Sequence, residues 1–222
     1  SQDARVKLLR YPHPFNYSAI NNIGARESDG DYLLFLNDDT EVLSVDWLER
    51  LLGFAQLSHA GAVGAKLLFP DGGGIQHCGV LNLAAGPGHA FYTASPSAPL
   101  YFGRNILEWN WLAVTGACLM VARCKFDEVD GFDEQFPVAY NDVDLCWRLH
   151  DQGYKNIVCN AVSLLHYESV SRGHDHEDPA KLDRLGRERR NLYRKHPEYF
   201  MHDPYFNANL HAGNVNFLVQ NY

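Results

Sequence analysis

The chain has 222 residues, 46% hydrophobic and 21% charged, with a formal net charge of -8. That length and apolar content supply a buried core and exclude a disordered chain. The acidic balance excludes a binder of nucleic-acid backbones, which needs Lys and Arg to displace counterions, so no nucleic-acid partner is expected.

Residues 6–9 predict a short strand that leads straight into a helix. That helix, over 15–27, places Phe15, Ala19, Ile20 and Ile23 on one face and stops at Ser28, Asp29 and Gly30. The unbroken apolar run 32–36 predicts a strand buried on both faces of a parallel sheet, ending abruptly in Asn37, Asp38, Asp39 and Thr40. Ser44 is the expected cap of a helix with the stripe Trp47, Leu48, Leu51, Leu52 and Ala55. A strand over 62–69, a turn over 70–74, an extended piece over 80–83 and a loop over 87–99 follow. Residues 112–122 predict a buried strand, too short to cross a membrane. Then come a short helix over 125–129, a helix over 142–152 stopped by Gly153, and a strand over 157–165 that ends at His166. The alternation predicts an α/β sheet whose ligands bind beyond the carboxyl ends of its strands.

Five cysteines, odd in number and without C-x-x-C spacing, predict reduced thiols in a cytoplasmic protein that works in solution or at the inner face of a membrane. The stretch with Arg184, Arg187, Arg189, Arg190, Arg194 and Lys195 reads as a solvated helix face, with an acidic surface as the alternative partner. His174 to Glu177 reads as a polar surface loop. Phosphate-loop, zinc-pair, nucleophile-elbow and dinucleotide-turn signatures are absent.

Three constellations carry chemistry. Asp38 and Asp39 sit where a buried strand surfaces, and paired carboxylates there suit Mg²⁺ or Mn²⁺, although Asp and Asn also build ordinary turns. Asn141, Asp142 and Asp144 open a helix, where one carboxylate caps and the other is left over for a general base. His166 ends another strand and adds an imidazole to the same sheet edge if the strands run parallel.

Taken together, these stretches resemble the inverting glycosyltransferases of family 2, in the rhamnosyltransferase-like branch that builds O-antigens. The residues 15–22, the acidic run at Asp38 and Asp39, Thr115-Gly116-Ala117 with Gly131-Phe132-Asp133-Glu134, the helix from Asn141 to Arg148, His166 with Ser169 and Ser171, and the tail 203–210 carry the likeness. It implies a GT-A-like mixed α/β sheet with flanking helices, lacking the first βαβ unit that holds the nucleotide. Residues 1–173 would be the metal- and acceptor-binding part of the catalytic domain, and 174–222 a helical and irregular extension packed on it.

The same resemblance implies single-displacement transfer of a sugar from a nucleotide-diphosphate sugar to a glycan or lipid-linked acceptor. Asp39, His166 and Asp38 would hold Mg²⁺ or Mn²⁺, Asp38 and Asn22 would contact the donor, and Asp142 would deprotonate the acceptor. Trp111, Gly116, Asn141 and Asp144 would line the acceptor side. Asn141 stands where the family has Glu, which strengthens Asp142 as base. Without the first unit the chain is expected to bind donor poorly, turn over little and self-associate into a homo-oligomer through exposed sheet. The alternatives are a non-catalytic carbohydrate-binding module stacking sugars on Tyr101, Trp109 and Trp111, and a nucleotidyltransferase, which would need a basic Gly-rich loop.

Overall fold

The computed structural model describes residues 3–167 and 179–219. Its elements run α1 (Tyr17–Glu27), β1 (Tyr32–Leu36), β2 (Thr40–Val42), α2 (Trp47–Ala55), β3 (Ala60–Leu68), β4 (Ile75–His77), β5 (Val80–Leu83) and β6 (Gly86–His89). They continue with β7 (Trp109–Trp111), β8 (Cys118–Ala122), α3 (Arg123–Glu128), α4 (Asn141–Asp151), β9 (Lys155–His166) and α5 (Pro179–Lys195). One sheet follows the order β1-β8-β3-β9-β2, with β4 added on β3 and β7 on β9; β5 and β6 form a separate hairpin.

The sheet is mixed, not parallel. β1 and β3 each run antiparallel to β8, while β3 and β9 run parallel. Two reversals restore the direction, so β1, β3 and β9 all point the same way and share a carboxyl edge. β1 is apolar from Tyr32 to Phe35 because both of its faces are covered there, not because its neighbour is parallel, and Leu36 at its end is exposed. Leu33 and Phe35 join the cluster beneath α1 and α4, and Tyr32 and Leu34 pack with α2. β8 shows the same alternation: Leu119 and Val121 face one cluster, Cys118 and Met120 the other.

Several expectations are corrected. Residues 6–9 enter no sheet, and Val6 and Leu8 are exposed. The cap residue of α2 is Asp46, and the Ser44 hydroxyl accepts from Ser163 N–H instead. The run 112–122 is not one strand, since only Cys118–Ala122 joins the sheet and Ala113 makes a single bridge to Val80. Part of the loop 87–99 pairs as β6. The motif residues Ser169 and Ser171, and His174 to Glu177, lie outside the described residues.

Two straps fix α1 and α4. Asn16 Nδ2, Ser18 Oγ and Asn22 Nδ2 donate to the carbonyls of Glu134, Phe136 and Phe132, which tie α1 to the segment leading into α4. Asn156, fully buried in β9, accepts from Ala62 N–H and donates to the carbonyls of Leu112 and Cys146, joining sheet to α4. Among the described residues all five cysteines are free, with only Cys124 exposed, and no helix is long and apolar enough to cross a membrane.

Trp111 is fully buried, and its ring lies against Gly79. A Cβ there would come within 2.2 Å of the indole, and Gly79 has φ of +120°. Gly79→Ala is therefore expected to cost about 2–4 kcal/mol through overpacking and backbone strain, read as a lower urea midpoint at unchanged m-value.

Candidate functional site

Residues 37–39 link β1 at one end of the sheet path to β2 at the other, so they cross the carboxyl edge. Asn37 N–H donates to Ala117 O and Tyr167 N–H donates to Asp39 O, which pins the crossing at both ends. Thr40 pairs with His166 in the β2–β9 ladder. That register brings Asp39 Oδ1 to 3.1 Å from His166 Nε2. This oxygen is buried and has no hydrogen-bond partner; it faces the imidazole nitrogen at close range without the alignment of a hydrogen bond.

Gln76, on β4, holds the other side of the imidazole. Its Nε2 donates to His166 O at 3.4 Å, and its Oε1 lies 2.7 Å from His166 Nδ1. A backbone carbonyl can only accept, so the amide nitrogen must face it and the amide oxygen must face Nδ1. A proton therefore sits on Nδ1, and Nε2 is faced by Asp39 Oδ1 at 3.1 Å and by Asn37 Nδ2 at 3.5 Å.

A cleft of about 1020 Å³ opens at this edge, and Asp38, Asp39, Gly116, Asn141, Asp142 and His166 all line it. Asp38 is exposed there. Asp142 leaves the first turn of α4 and accepts from Gly116 N–H and Val143 N–H, both at 2.8 Å. Burial pushes its pKa up from the ordinary carboxylate value, against the opposing pull of these backbone donors and the Thr115 hydroxyl. Gly116 O in turn accepts from Tyr17 Oη at 2.7 Å. A Cβ at Gly116 would lie 2.9 Å from that phenol oxygen. Asn141 spends its amide locally, donating to Val138 O and accepting from Asp142 N–H. Tyr140, just before it, holds a left-handed φ of +59°, the kind of strained turn that aims a following side chain.

Other expected site residues do not reach the cleft. Asn22 is consumed by α1's strap, since its Oδ1 accepts from Phe132 N–H while its Nδ2 donates to Phe132 O and Glu134 Oε1. Trp111 is sealed in the core beside Phe91 and Phe217. The other aromatics of the carbohydrate-module reading are also engaged: Tyr101 stacks on Phe217 at 4.4 Å, and Arg104 sits 4.7 Å over Trp109. Asp144 points into the protein, fully buried, where Arg148, Lys195 and His196 surround it at 2.7, 2.8 and 2.9 Å. Its pKa is lowered, because those partners outweigh the upward push of burial.

The cleft also holds residues with no motif to mark them. Gln76 and His77 come from β4, His89 from β6, and Lys181 and Arg184 from α5. Of these, Arg184 belongs to the basic run read from the sequence. A separate group, Asp151, His196 and Glu198, keeps its ligand-type atoms within 4.8 Å. None of these three lines the cleft, and His196 Nε2 is already bonded to Asp144.

The model of the family "Glycosyl transferase family 2" matches residues 1–128, and the chain belongs to that family. It is 42% identical over 212 residues to an uncharacterized protein of Sinorhizobium fredii, covering 94% of this chain and 23% of that one. It is 45% identical over 177 residues to the O-antigen biosynthesis protein RfbC of Myxococcus xanthus, covering 78% of this chain and 14% of that one. An N-acetylglucosaminyl-diphospho-decaprenol L-rhamnosyltransferase of Mycobacterium tuberculosis is 30% identical over 159 residues, covering 65% and 50%. The chain thus spans half or less of these relatives' lengths.

Among solved structures, GalNAc-T7 with UDP, GalNAc and Mn²⁺ superposes with a TM-score of 0.57 at 13% identity, covering 86% of this chain and 39% of that one. A mannosyltransferase of Pyrobaculum calidifontis with GDP-Man and Mn²⁺ gives 0.53 at 13%, covering 87% and 54%. The fold is GT-A-like, an α/β mixed sheet with flanking helices, and the chain is related to enzymes of the O-antigen and rhamnosyltransferase type.

The Asp144 cluster generates a test that is independent of activity. Asp144→Asn leaves Arg148 without its buried charge partner, while Lys195 keeps Asp133 at 2.7 Å, and is expected to cost about 3 kcal/mol. Because the folded pKa is depressed, the stabilisation is complete above the unfolded value of about 3.9 and is lost as pH falls through the lower folded value. Urea unfolding between neutral and strongly acid pH should therefore show a shallower acid decline in Asp144→Asn than in the unaltered chain.

Proposed function

We propose that this chain is the catalytic part of a metal-dependent, inverting glycosyltransferase that moves a sugar from a nucleotide-diphosphate sugar to a glycan or lipid-linked acceptor. One observation carries the reading: a carboxylate oxygen without a hydrogen-bond partner and an imidazole nitrogen meet at 3.1 Å in the cleft that also holds a carboxylate of raised pKa.

The residues fit a small divalent cation. Two ligands at right angles around Mg²⁺ or Mn²⁺, each about 2.1 Å from it, stand roughly 3 Å apart, which matches Asp39 Oδ1 and His166 Nε2. Asp39 and His166 would hold the cation with help from Asp38, and Gln76 orients the imidazole. When bound, the cation supplies electrostatic stabilisation to the phosphate oxygens of the departing nucleoside diphosphate.

The rest is done by the chain's own groups. Asp142 takes the proton of the attacking hydroxyl, and its raised pKa strengthens it as a base. Gly116 N–H and Val143 N–H fix the orientation of its carboxylate. A single carboxylate suffices for a one-step displacement with inversion. Lys181 and Arg184 bring positive charge to the wall of the cleft, where a diphosphate would be received. The neighbouring Gly116 must stay without a side chain, since Tyr17 and Asp142 fill the space beside it. Residues 1–173 act in this reading as the metal- and acceptor-binding part, with the following segment as an extension packed against it.

In the complete protein, Asp142→Asn is expected to lower kcat by about 10²–10⁴-fold while Mn²⁺ affinity is retained. Since the carboxylate works deprotonated and its pKa is raised, kcat should fall as pH drops through a value above the ordinary carboxylate range. Gln76→Leu should instead weaken the cation by about 10–100-fold through loss of imidazole orientation. Stopped transfer assays with a metal titration read all three. Full activity of Asp142→Asn would remove the base from this scheme.

A further inference from the structure

Away from the cleft, the end of α4 and the segment after α5 bring Asp151, His196 and Glu198 together. His196 directly follows α5 and is only 3% exposed, with its ring edge-on to Trp147 at 5.4 Å between centroids. Its Nε2 lies 2.9 Å from Asp144 Oδ1. Against the upward push of burial, His196, Arg148 and Lys195 hold the pKa of Asp144 low, so that carboxylate is ionised and can only accept. Nε2 therefore carries a proton. The other nitrogen, Nδ1, faces Asp151 Oδ2 at 4.0 Å and Glu198 Oε1 at 3.7 Å, and neither distance is that of a hydrogen bond.

Two carboxylates thus converge on one buried imidazole nitrogen without bonding to it. Tyr199 Oη donates to Asp151 Oδ1, which leaves Oδ2 to face the ring. The three ligand-type atoms lie within 4.8 Å of one another. Donors about 2.1 Å from a tetrahedral Zn²⁺ stand roughly 3.4 Å apart, so the carboxylates must draw inward by up to about 1 Å. The Asp151 and Glu198 side chains are 41% and 52% exposed and have room to rotate. A proton on Nδ1 is the other way to neutralise the pair, but a charge-assisted bond would pull one oxygen to about 2.8 Å.

We propose that His196 Nδ1, Asp151 Oδ2 and Glu198 Oε1 form a divalent-cation site outside the cleft, which takes Zn²⁺ or a similar borderline ion and clips the end of α4 to the segment after α5. One imidazole with two carboxylates suits such an ion, whereas Mg²⁺ prefers oxygens alone. Asp144 supplies the outer shell: a carboxylate that accepts the far N–H of a ligand imidazole fixes its tautomer and makes the ligand nitrogen more basic. Three protein ligands leave the fourth position of a tetrahedral ion to water. None of the three lines the cleft. The ion therefore acts on stability, and the site stands whether or not the cleft transfers a sugar.

Calorimetric titration with Zn²⁺ at neutral pH and millimolar Mg²⁺ tests this, in a full chain carrying Asp39→Ala and Cys124→Ser. Those two changes remove a proposed cleft ligand and the exposed thiol. Zn²⁺ is expected to bind and Mg²⁺ to leave it in place. Glu198 is half exposed, so Glu198→Gln leaves the core untouched. Added to that background, it should weaken Zn²⁺ by about 10-fold or more, since even outer-shell changes cost that much. Because an ion held only by the folded state stabilises it, Zn²⁺ should also raise the urea midpoint, and less so with Glu198→Gln.

Proton–nitrogen correlation spectra of the histidine-labelled chain give a second reading that needs no variant. Zn²⁺ should shift the His196 Nδ1 signal while Nε2 keeps its proton. The proposal is overturned if no Zn²⁺ binds, if Glu198→Gln binds it as tightly as the background chain, if Mg²⁺ displaces it, or if His196 stays an imidazolium with Zn²⁺ present.

Discussion

Strand direction is the constraint on which the cleft depends. β1 and β9 lie three steps apart in the sheet, and the antiparallel β8 between them could have sent their carboxyl ends to opposite edges. Two reversals cancel, so the acidic run after β1 and the imidazole at the end of β9 emerge on one side. Residues 37–39 then have only a short span in which to reach β2, and the ladder between β2 and β9 sets Thr40 opposite His166. The close approach of Asp39 to His166 follows from that register. A one-residue slip would turn every side chain of β2 to the other face.

Polar groups in the wall of the cleft are held by neighbours of fixed donor or acceptor type. Backbone groups supply that certainty, because an N–H always donates and a carbonyl always accepts. His166 O sets the Gln76 amide, which sets the proton on His166. Thr115 N–H sets His77, which sets His89. Gly116 N–H and Val143 N–H hold both oxygens of Asp142. These ionisable side chains are thereby oriented before any ligand arrives, which is the arrangement preorganised sites require.

Asp142 and Asp144 show how environment divides two like residues. They lie two positions apart on α4, roughly 200° around the helix, so one faces the cleft and the other the core. Asp142 has backbone donors, and burial raises its pKa. Asp144 has Arg148, Lys195 and His196, which lower it. The first is the proposed base, and the second clasps α4 to the end of α5. The start of α5 brings Lys181 and Arg184 to the lining of the cleft.

Sequence by itself determined the main helices and the strands that end at Asn37 and His166, the α/β class and the family likeness, because apolar periodicity and terminal Asp, Gly and His signals are local. It also singled out Asp38, Asp39, Asp142 and His166, since each stands at the end of a strand or the start of a helix, where side chains reach a sheet edge. Only the tertiary structure decided that β1 is an antiparallel edge strand, that Trp111 and Asn22 are spent on packing and strapping, and that Asp144 turns inward. Those outcomes depend on which neighbours arrive from far along the chain. Gln76, His77 and His89 were illegible for the same reason: a polar side chain in a short apolar run looks like an exception until the elements it faces are folded around it.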